Sequence, residues 1–223
     1  MKTAINTSRR NFLKGSAAIG SGLVVGFHLP SALAQSGAGA SAAPEINAWV
    51  VVRPDDTVVI RYARAEMGQG SFTSLPMFVA EELGCDWSKV RVEYASPNEH
   101  IRRKRVWGNM YSTGSRSVRE SHEYLRKAGA TAREMLIAAA AQKWDVPPNE
   151  CTASNSVIAH RLSGHKTSFG KVANAAAKME PPVFVQLKDP KDWKLLGTSP
   201  RRLDIPDSTT GRQRYGIDAQ LPG

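Results

Sequence analysis

The 223-residue chain has only two cysteines, Cys85 and Cys151, and they form no CxxC pair. No histidine stands near them at ligand spacing, which excludes a zinc ribbon or an iron–sulfur cluster held by this chain alone and allows at most one disulfide. His100, His122, His160 and His165 share no metal-ligand spacing either and read as surface residues, so no metal site is assigned. Acidic residues are the scarcer charge, 20 against 30 lysines and arginines for a net +10. They are nevertheless interspersed nearly everywhere, so no broad nucleic-acid footprint forms. No internal repeat is present. With 22% charged and 41% hydrophobic residues, a disordered tail, a coiled coil and a collagen-like chain are excluded, leaving one globular domain or two small ones.

An uninterrupted membrane-spanning run is also missing. The one long apolar stretch, Ala17 to Leu33, is broken by Gly20, Gly22, Gly26, His28 and Pro30, which makes it a poor spanning helix. It follows Ser8-Arg9-Arg10-Asn11-Phe12-Leu13-Lys14 and ends at Ala32-Leu33-Ala34, the pattern of a twin-arginine export signal with small residues for cleavage. Residues 1–34 are therefore expected to be a signal peptide directing the chain to the periplasm, with no stable membrane span after cleavage. That route exports proteins already folded, often with a cofactor inside. Removing those 34 residues, with Lys2, Arg9, Arg10 and Lys14, leaves 189 residues at +6, a balance suited to an acidic partner or a phosphate-bearing ligand.

Residues 35–46 read as a flexible Ala/Gly/Ser linker. Ala48–Val52 and Thr57–Tyr62 are β-branched runs joined by Arg53-Pro54-Asp55-Asp56, which predicts an antiparallel hairpin with a type I turn. A helix over about 72–83 follows from Leu75, Phe78, Val79 and Leu83, with Pro76 in its first turn and Gly84 as its C-cap. A strand near 89–94, an irregular loop from Ala95 to Met110, and a long helix near 118–144 come next. Ser117-Val118-Arg119-Glu120 reads as the capping box of that helix and Pro147-Pro148 as its end. Its Ala128-Gly129-Ala130 and Ala138–Ala141 runs lack bulk, so another element is expected to pack close against them. A small hairpin turns at Ser163-Gly164, Ser168 opens a short helix through Ala177, and the chain beyond Pro181-Pro182 is expected to be extended. The fold class is α+β: a sheet with antiparallel strands packed by two main helices.

Two loops place small residues and backbone N–H groups at a helix start, where the unpaired donors and the helix dipole favour an anion. Gly68 and Gly70 allow close backbone approach, and the Gln69 amide both donates and accepts. Thr113-Gly114-Ser115-Arg116-Ser117 supplies hydroxyls and a guanidinium, with Arg119 one turn on. On spacing alone, a plain turn from strand to helix is the favoured reading of Gly68 and Gly70.

Glu66-Met67-Gly68-Gln69-Gly70 with Val79-Ala80-Glu81-Glu82-Leu83, then Asp86-Trp87-Ser88-Lys89-Val90-Arg91-Val92, then Thr113 to Arg119, resemble the molybdopterin-binding large subunit of the xanthine dehydrogenase/aldehyde oxidase family, in its isoquinoline 1-oxidoreductase-like branch. Leu187-Lys188-Asp189-Pro190 and Pro200 to Pro206 resemble the same branch, and the likeness runs from Asn47 to Gly223. It implies a molybdenum hydroxylase, in which molybdenum on molybdopterin cytosine dinucleotide transfers a water-derived oxygen to a small aldehyde or N-heterocycle. Electrons then leave through [2Fe–2S] clusters on a small partner subunit. By motif, the resemblance assigns Gly68, Gln69 and Gly70, and Thr113, Gly114, Ser115 and Ser117, to the cofactor. Thr113 stands where the family commonly has a glycine.

The same resemblance implies a molybdopterin-binding segment over 47–180, an extended connector over 181–207, and the start of a hammerhead-like domain at 208–223. The chain then reads as the N-terminal portion of a longer subunit whose remainder is a partner and carries the catalytic base, so no catalytic residue is assigned here. Glu66, beside a cofactor motif, reads as a strand-end structural or solvated carboxylate rather than a catalytic one. The basic run Arg102-Arg103-Lys104-Arg105 meets either a cofactor tail or solvent and a neighbouring domain. The five tryptophans read as core or interface anchors and Cys85 as a small buried hydrophobe. A non-catalytic exported binding or assembly module on the same fold is the alternative.

Overall fold

A computed structural model describes residues 43–220. The expected signal peptide and residues 35–42 of the expected linker lie outside the described residues. Val50–Val52 (β2) and Val58–Tyr62 (β3) pair antiparallel with Val50 opposite Ile60 and Val52 opposite Val58. Their connection closes with Arg53 N donating to Thr57 O at 2.8 Å and Asp56 in the left-handed region at φ 67°. Val90–Tyr94 (β4) lies parallel to β3, with Val58 opposite Val90 and Tyr62 opposite Tyr94. A parallel pair needs a crossover, and helix α1, Ser71–Leu83, supplies it. The sheet has a fourth, outer strand, Glu45–Asn47 (β1), that begins within the span read as linker. Ile46 is buried in the core, and the Asn47 side chain accepts from Trp49 N and Val50 N to turn the chain into β2.

Helix α1 starts one residue earlier than expected, after Gly70 at φ 81°, and Pro76 is its sixth residue, in the second turn rather than the first. Gly84 closes it in the left-handed region, its N–H reaching Ala80 O and Glu81 O. Pro97–Arg102 forms a short helix (α2) inside the segment read as an irregular loop, with Ser96 capping it and Pro97 in its first turn. The long helix α3 spans Arg116–Trp144, 29 residues or roughly 43 Å. The expected capping box does not form. Ser115, at φ 55°, holds the cap position without a side-chain hydrogen bond, Ser117 is buried in the first turn, and Glu120 pairs with Arg116 at 3.2 Å. Arg116 takes up the helix because the left-handed pair Gly114-Ser115 starts it two residues early.

The small residues of α3 do admit a close neighbour. A Cβ on Gly129 would run into the Val79 carbonyl oxygen of α1, so the two helices approach backbone to backbone at that point. A second, three-stranded antiparallel sheet follows: Cys151–Ser154 (β5), Val157–His160 (β6) and Lys166–Ser168 (β7). The expected hairpin is β6–β7. The additional strand β5 joins β6 through Asn155-Ser156, both at positive φ, the conformation a two-residue hairpin turn requires. Helix α4, Phe169–Ala176, packs on α3 and on the β2–β3 turn, where a Cβ on Gly170 would lie 2.6 Å from two carbonyl oxygens. Trp49 and Trp107 are core residues, as expected, and both cysteines are free thiols. Beyond Pro182 the chain is mostly extended, interrupted by a 3-10 turn at Pro190–Asp192 and a turn at 196–197, up to a short helix α5, Ile205–Thr209, where a connector without helix was expected; Pro206 sits in its first turn.

Candidate functional site

The glycine loop begins where β3 ends. Arg64, buried at 6% exposure, donates from Nη1 to Tyr111 O at 2.5 Å and from Nε and Nη2 to Ser121 Oγ on α3. Ala65 N donates to Ser112 Oγ at 2.8 Å, and that hydroxyl lies 3.3 Å from Ala65 O. The two helix-start loops therefore abut, joined by Arg64, which the sequence reading passed over, and by Ser112, which it placed in the small-residue loop without its partner. An arginine after a strand and a serine before a Thr-Gly pair carry no pattern of their own; only the paired geometry reveals them.

Within the first loop, the Glu66 carboxylate accepts from Gly68 N (2.7 Å), Gly70 N (2.9 Å) and Phe72 N (2.8 Å). Glu66 is thus structural, and the Phe72, Thr73 and Ser74 donors at the start of α1 are taken up by the chain itself. The Gln69 side chain is also used internally: Oε1 accepts from Met67 N at 2.6 Å, and Nε2 donates to Ala65 O and Ser71 Oγ, both at 2.7 Å. Gly68 and Gly70 have φ of 104° and 81° with open space around each, so a side chain there meets backbone strain before any clash.

The second loop has the opposite character. Thr113, Gly114 and Ser115 are exposed, and no side chain caps α3. Gly114 and Ser115 take the left-handed conformation, whereas Thr113 does not, so the Cβ at the position where a glycine was expected costs no backbone strain. Arg116 lies over the Tyr111 ring, 5.2 Å from its centroid, and Arg119 reaches Gly114 O at 3.5 Å. Of the basic run, Arg103 is folded back onto Glu45 at 2.5 Å and the Trp107 ring, and Arg102 onto Glu99. Arg105 remains exposed on an open groove of about 650 Å³ that Ile101, Met110 and Tyr111 also line, next to the second loop. Burial, then Arg105, lowers the pKa of His100 on the same groove. Among the described residues no three acidic, histidine or cysteine side chains gather as a metal-ligand set, and no helix is long and apolar enough to cross a membrane.

Fold and loops define a binding module of the α+β class, with one helix start closed by its own carboxylate and the adjoining one open. The chain belongs to the molybdopterin cofactor-binding domain family, whose profile matches residues 2–201. It is 31% identical, over 258 aligned positions covering 98% of this chain and 32% of the relative, to isoquinoline 1-oxidoreductase subunit beta of Brevundimonas diminuta. It is 33% identical over 230 positions to the membrane-bound aldehyde dehydrogenase (pyrroloquinoline-quinone) of Gluconacetobacter polyoxogenes, covering 97% of this chain and 28% of that one. Among solved structures, reconstituted CO dehydrogenase from Oligotropha carboxidovorans matches with a TM-score of 0.44 and 18% identity over 65% of this chain and 18% of that one. The chain spans about a third, or less, of the length of the curated relatives it matches.

Proposed function

We propose that this chain is the N-terminal cofactor-binding part of an exported molybdenum hydroxylase large subunit that oxidises aldehydes or N-heterocycles with water-derived oxygen. The observation that carries this reading is the Ala65–Ser112 junction, which sets two glycine-bearing helix starts side by side in a chain of the molybdopterin-binding family. The donor set fits an anionic, phosphate-bearing cofactor at the second loop. There the uncapped N–H groups of α3, the Thr113 and Ser115 hydroxyls and the Arg119 guanidinium are on offer. Gly114 and Ser117 shape that loop, while Gly68, Gln69 and Gly70 form the adjoining one, in which the Gln69 backbone N–H is the donor left without a partner among the described residues. When bound, molybdenum on molybdopterin cytosine dinucleotide supplies the oxygen-transfer centre, and electrons leave through [2Fe–2S] clusters on a small partner subunit. The part of the chain in hand binds and orients; the base lies in the remainder of the large subunit. The names of the relatives, one an isoquinoline oxidoreductase and one an aldehyde dehydrogenase, support the substrate classes.

The deciding experiment uses the complete large subunit, made with its small subunit in a molybdenum-replete host. Molybdenum and acid-released cytosine nucleotide in stoichiometric amounts are the expected result. Protein with neither would leave the non-catalytic binding module, and a bound quinone in their place would point to a different cofactor. Export is tested on the same protein: Arg9→Lys with Arg10→Lys should hold the precursor in the cytoplasm, and its appearance in the periplasm would end the twin-arginine reading.

A further inference from the structure

Helix α1 carries two adjacent acids in its last turns, Glu81 at 3% exposure and Glu82 at 0%, and both bind the backbone of the extended segment that follows Pro182. Glu81 Oε2 accepts from Lys194 N, Leu195 N and Leu196 N at 2.9, 2.6 and 3.1 Å. Glu82 Oε2 accepts from Lys188 N at 3.0 Å, while Arg126 and Arg133 on α3 pair with the same carboxylate and donate to Lys188 O and Gln186 O. Recognition is thus mostly of main-chain atoms, and it draws an extended segment onto the C-terminal end of α1.

The same segment then reaches the other end of that helix. Leu203 N donates to Thr73 Oγ1 at 3.0 Å, and Arg202, held in a two-point pair by Asp204, donates from Nη1 to Gly68 O at 3.1 Å, with Nη2 3.6 Å from Glu66. Only five residues separate Leu196 from Arg202, so docking at Glu81 keeps the guanidinium within about 20 Å of its seat. The contact with Gly68 O has a directional consequence. In a trans peptide the C=O and N–H point opposite ways, so fixing Gly68 O toward Arg202 turns the Gln69 N–H away from the strap. Gly68 N and Gly70 N are already on Glu66, and no acceptor faces the Gln69 N–H among the described residues.

We infer that residues 186–204 are a strap whose docking on Glu81 and Glu82 sets the glycine loop through Arg202, making Arg202 a positioning residue that presents the Gln69 backbone N–H to the ligand. The ligand is the cofactor of the preceding section, and only this last step rests on that reading.

Amide hydrogen exchange on the full chain tests the coupling without any cofactor. Arg202→Ala should speed exchange at Gly70 and Phe72 by roughly five- to tenfold, the scale of one lost charge-assisted hydrogen bond. Because coupling is reciprocal, Lys194, Leu195 and Leu196 should also lose protection in this surface variant. Arg202→Lys, which keeps the charge but not the fork onto Asp204, should restore part of it. Glu81→Gln, the mirror change, should loosen the glycine-loop amides as well as the strap, and adding Arg202→Ala to it should do little more. Wild-type protection at either end in Arg202→Ala overturns the proposal. In the complete enzyme, faster exchange accompanied by lost molybdenum supports both readings. Faster exchange with unchanged molybdenum keeps the strap and removes the glycine loop from the cofactor site.

Discussion

The Glu66 carboxylate lies 2.9 Å from the Gly70 amide nitrogen and 2.8 Å from that of Phe72, so it fills the acceptor position that a bound anion would take at the start of α1. A helix N-terminus offers such a position because its first N–H groups lack intrahelical partners and the dipole favours negative charge. Glu66→Ala leaves those donors without their partner and should destabilise the chain by about 1–2 kcal/mol, the usual loss for an N-terminal cap. Glu66→Gln, which keeps an acceptor oxygen but not the charge, should cost less. Denaturant unfolding of the two variants decides it: equal midpoints for wild type and Glu66→Ala would mean the carboxylate is idle.

Gly129 tests the approach of α3 to α1. In an exposed helix, Gly→Ala stabilises by about 0.5–1 kcal/mol, but here a Cβ meets the Val79 carbonyl oxygen. The clash should reverse the sign, with Gly129→Ala losing about 1–3 kcal/mol as an overpacked core does and Gly129→Val losing more. A thermal midpoint for Gly129→Ala at or above wild type would refute the close approach.

Acid should release the strap before it unfolds the core. Burial works to raise the Glu81 carboxyl, but the N–H groups of Leu195, Lys194 and Leu196 outweigh it and hold it below its ordinary 4.5. The Arg202 hydrogen bonds hold Asp204 below its ordinary 3.8. For groups whose folded pKa is depressed, the contribution is complete above the ordinary value and is lost as pH falls through the folded one. Strap protection should therefore be flat from neutrality down to about pH 5 and fall below about pH 4. Fluorescence of Trp193, whose ring lies under Arg126 at 5.2 Å, reports it. A change centred near neutrality would assign the strap to other groups.

Much of this arrangement is legible in the chain itself. The β2–β3 hairpin, α1, β4 and the long helix follow from β-branched runs and 3.6-residue periodicity, because those patterns encode a buried face directly. Even the close helix pair is announced by Ala128-Gly129-Ala130. Strands β1 and β5 are not, since three or four residues such as Glu45-Ile46-Asn47 become strands only by pairing with a neighbour already in place. At the site, the glycines locate both loops, but their donors are assigned by tertiary contacts. Nothing in Glu66-Met67-Gly68-Gln69-Gly70 says that the glutamate turns back on the glycines. Glu81 and Glu82 stand out in the sequence only as part of the family likeness; their burial and their backbone partners are set by the tertiary structure.

The difference between the two helix starts leads to a variant with opposed effects. The N-terminus of α3 has no side-chain cap, and its flanking residue, Ser115, already holds the left-handed conformation that aspartate tolerates. Ser115→Asp places a negative charge where the dipole favours one, which should stabilise the chain alone by about 0.3–1 kcal/mol. In the complete enzyme the same charge occupies and repels the position offered to a phosphate, so molybdenum and cytosine nucleotide content should fall. Ser115→Asn, neutral, equally suited to the left-handed region and still a donor through its amide, controls for charge and should retain more cofactor than Ser115→Asp. A stability gain with undiminished cofactor in Ser115→Asp would move the phosphate contact away from α3, because a carboxylate and a phosphate cannot both take the same unpaired donors.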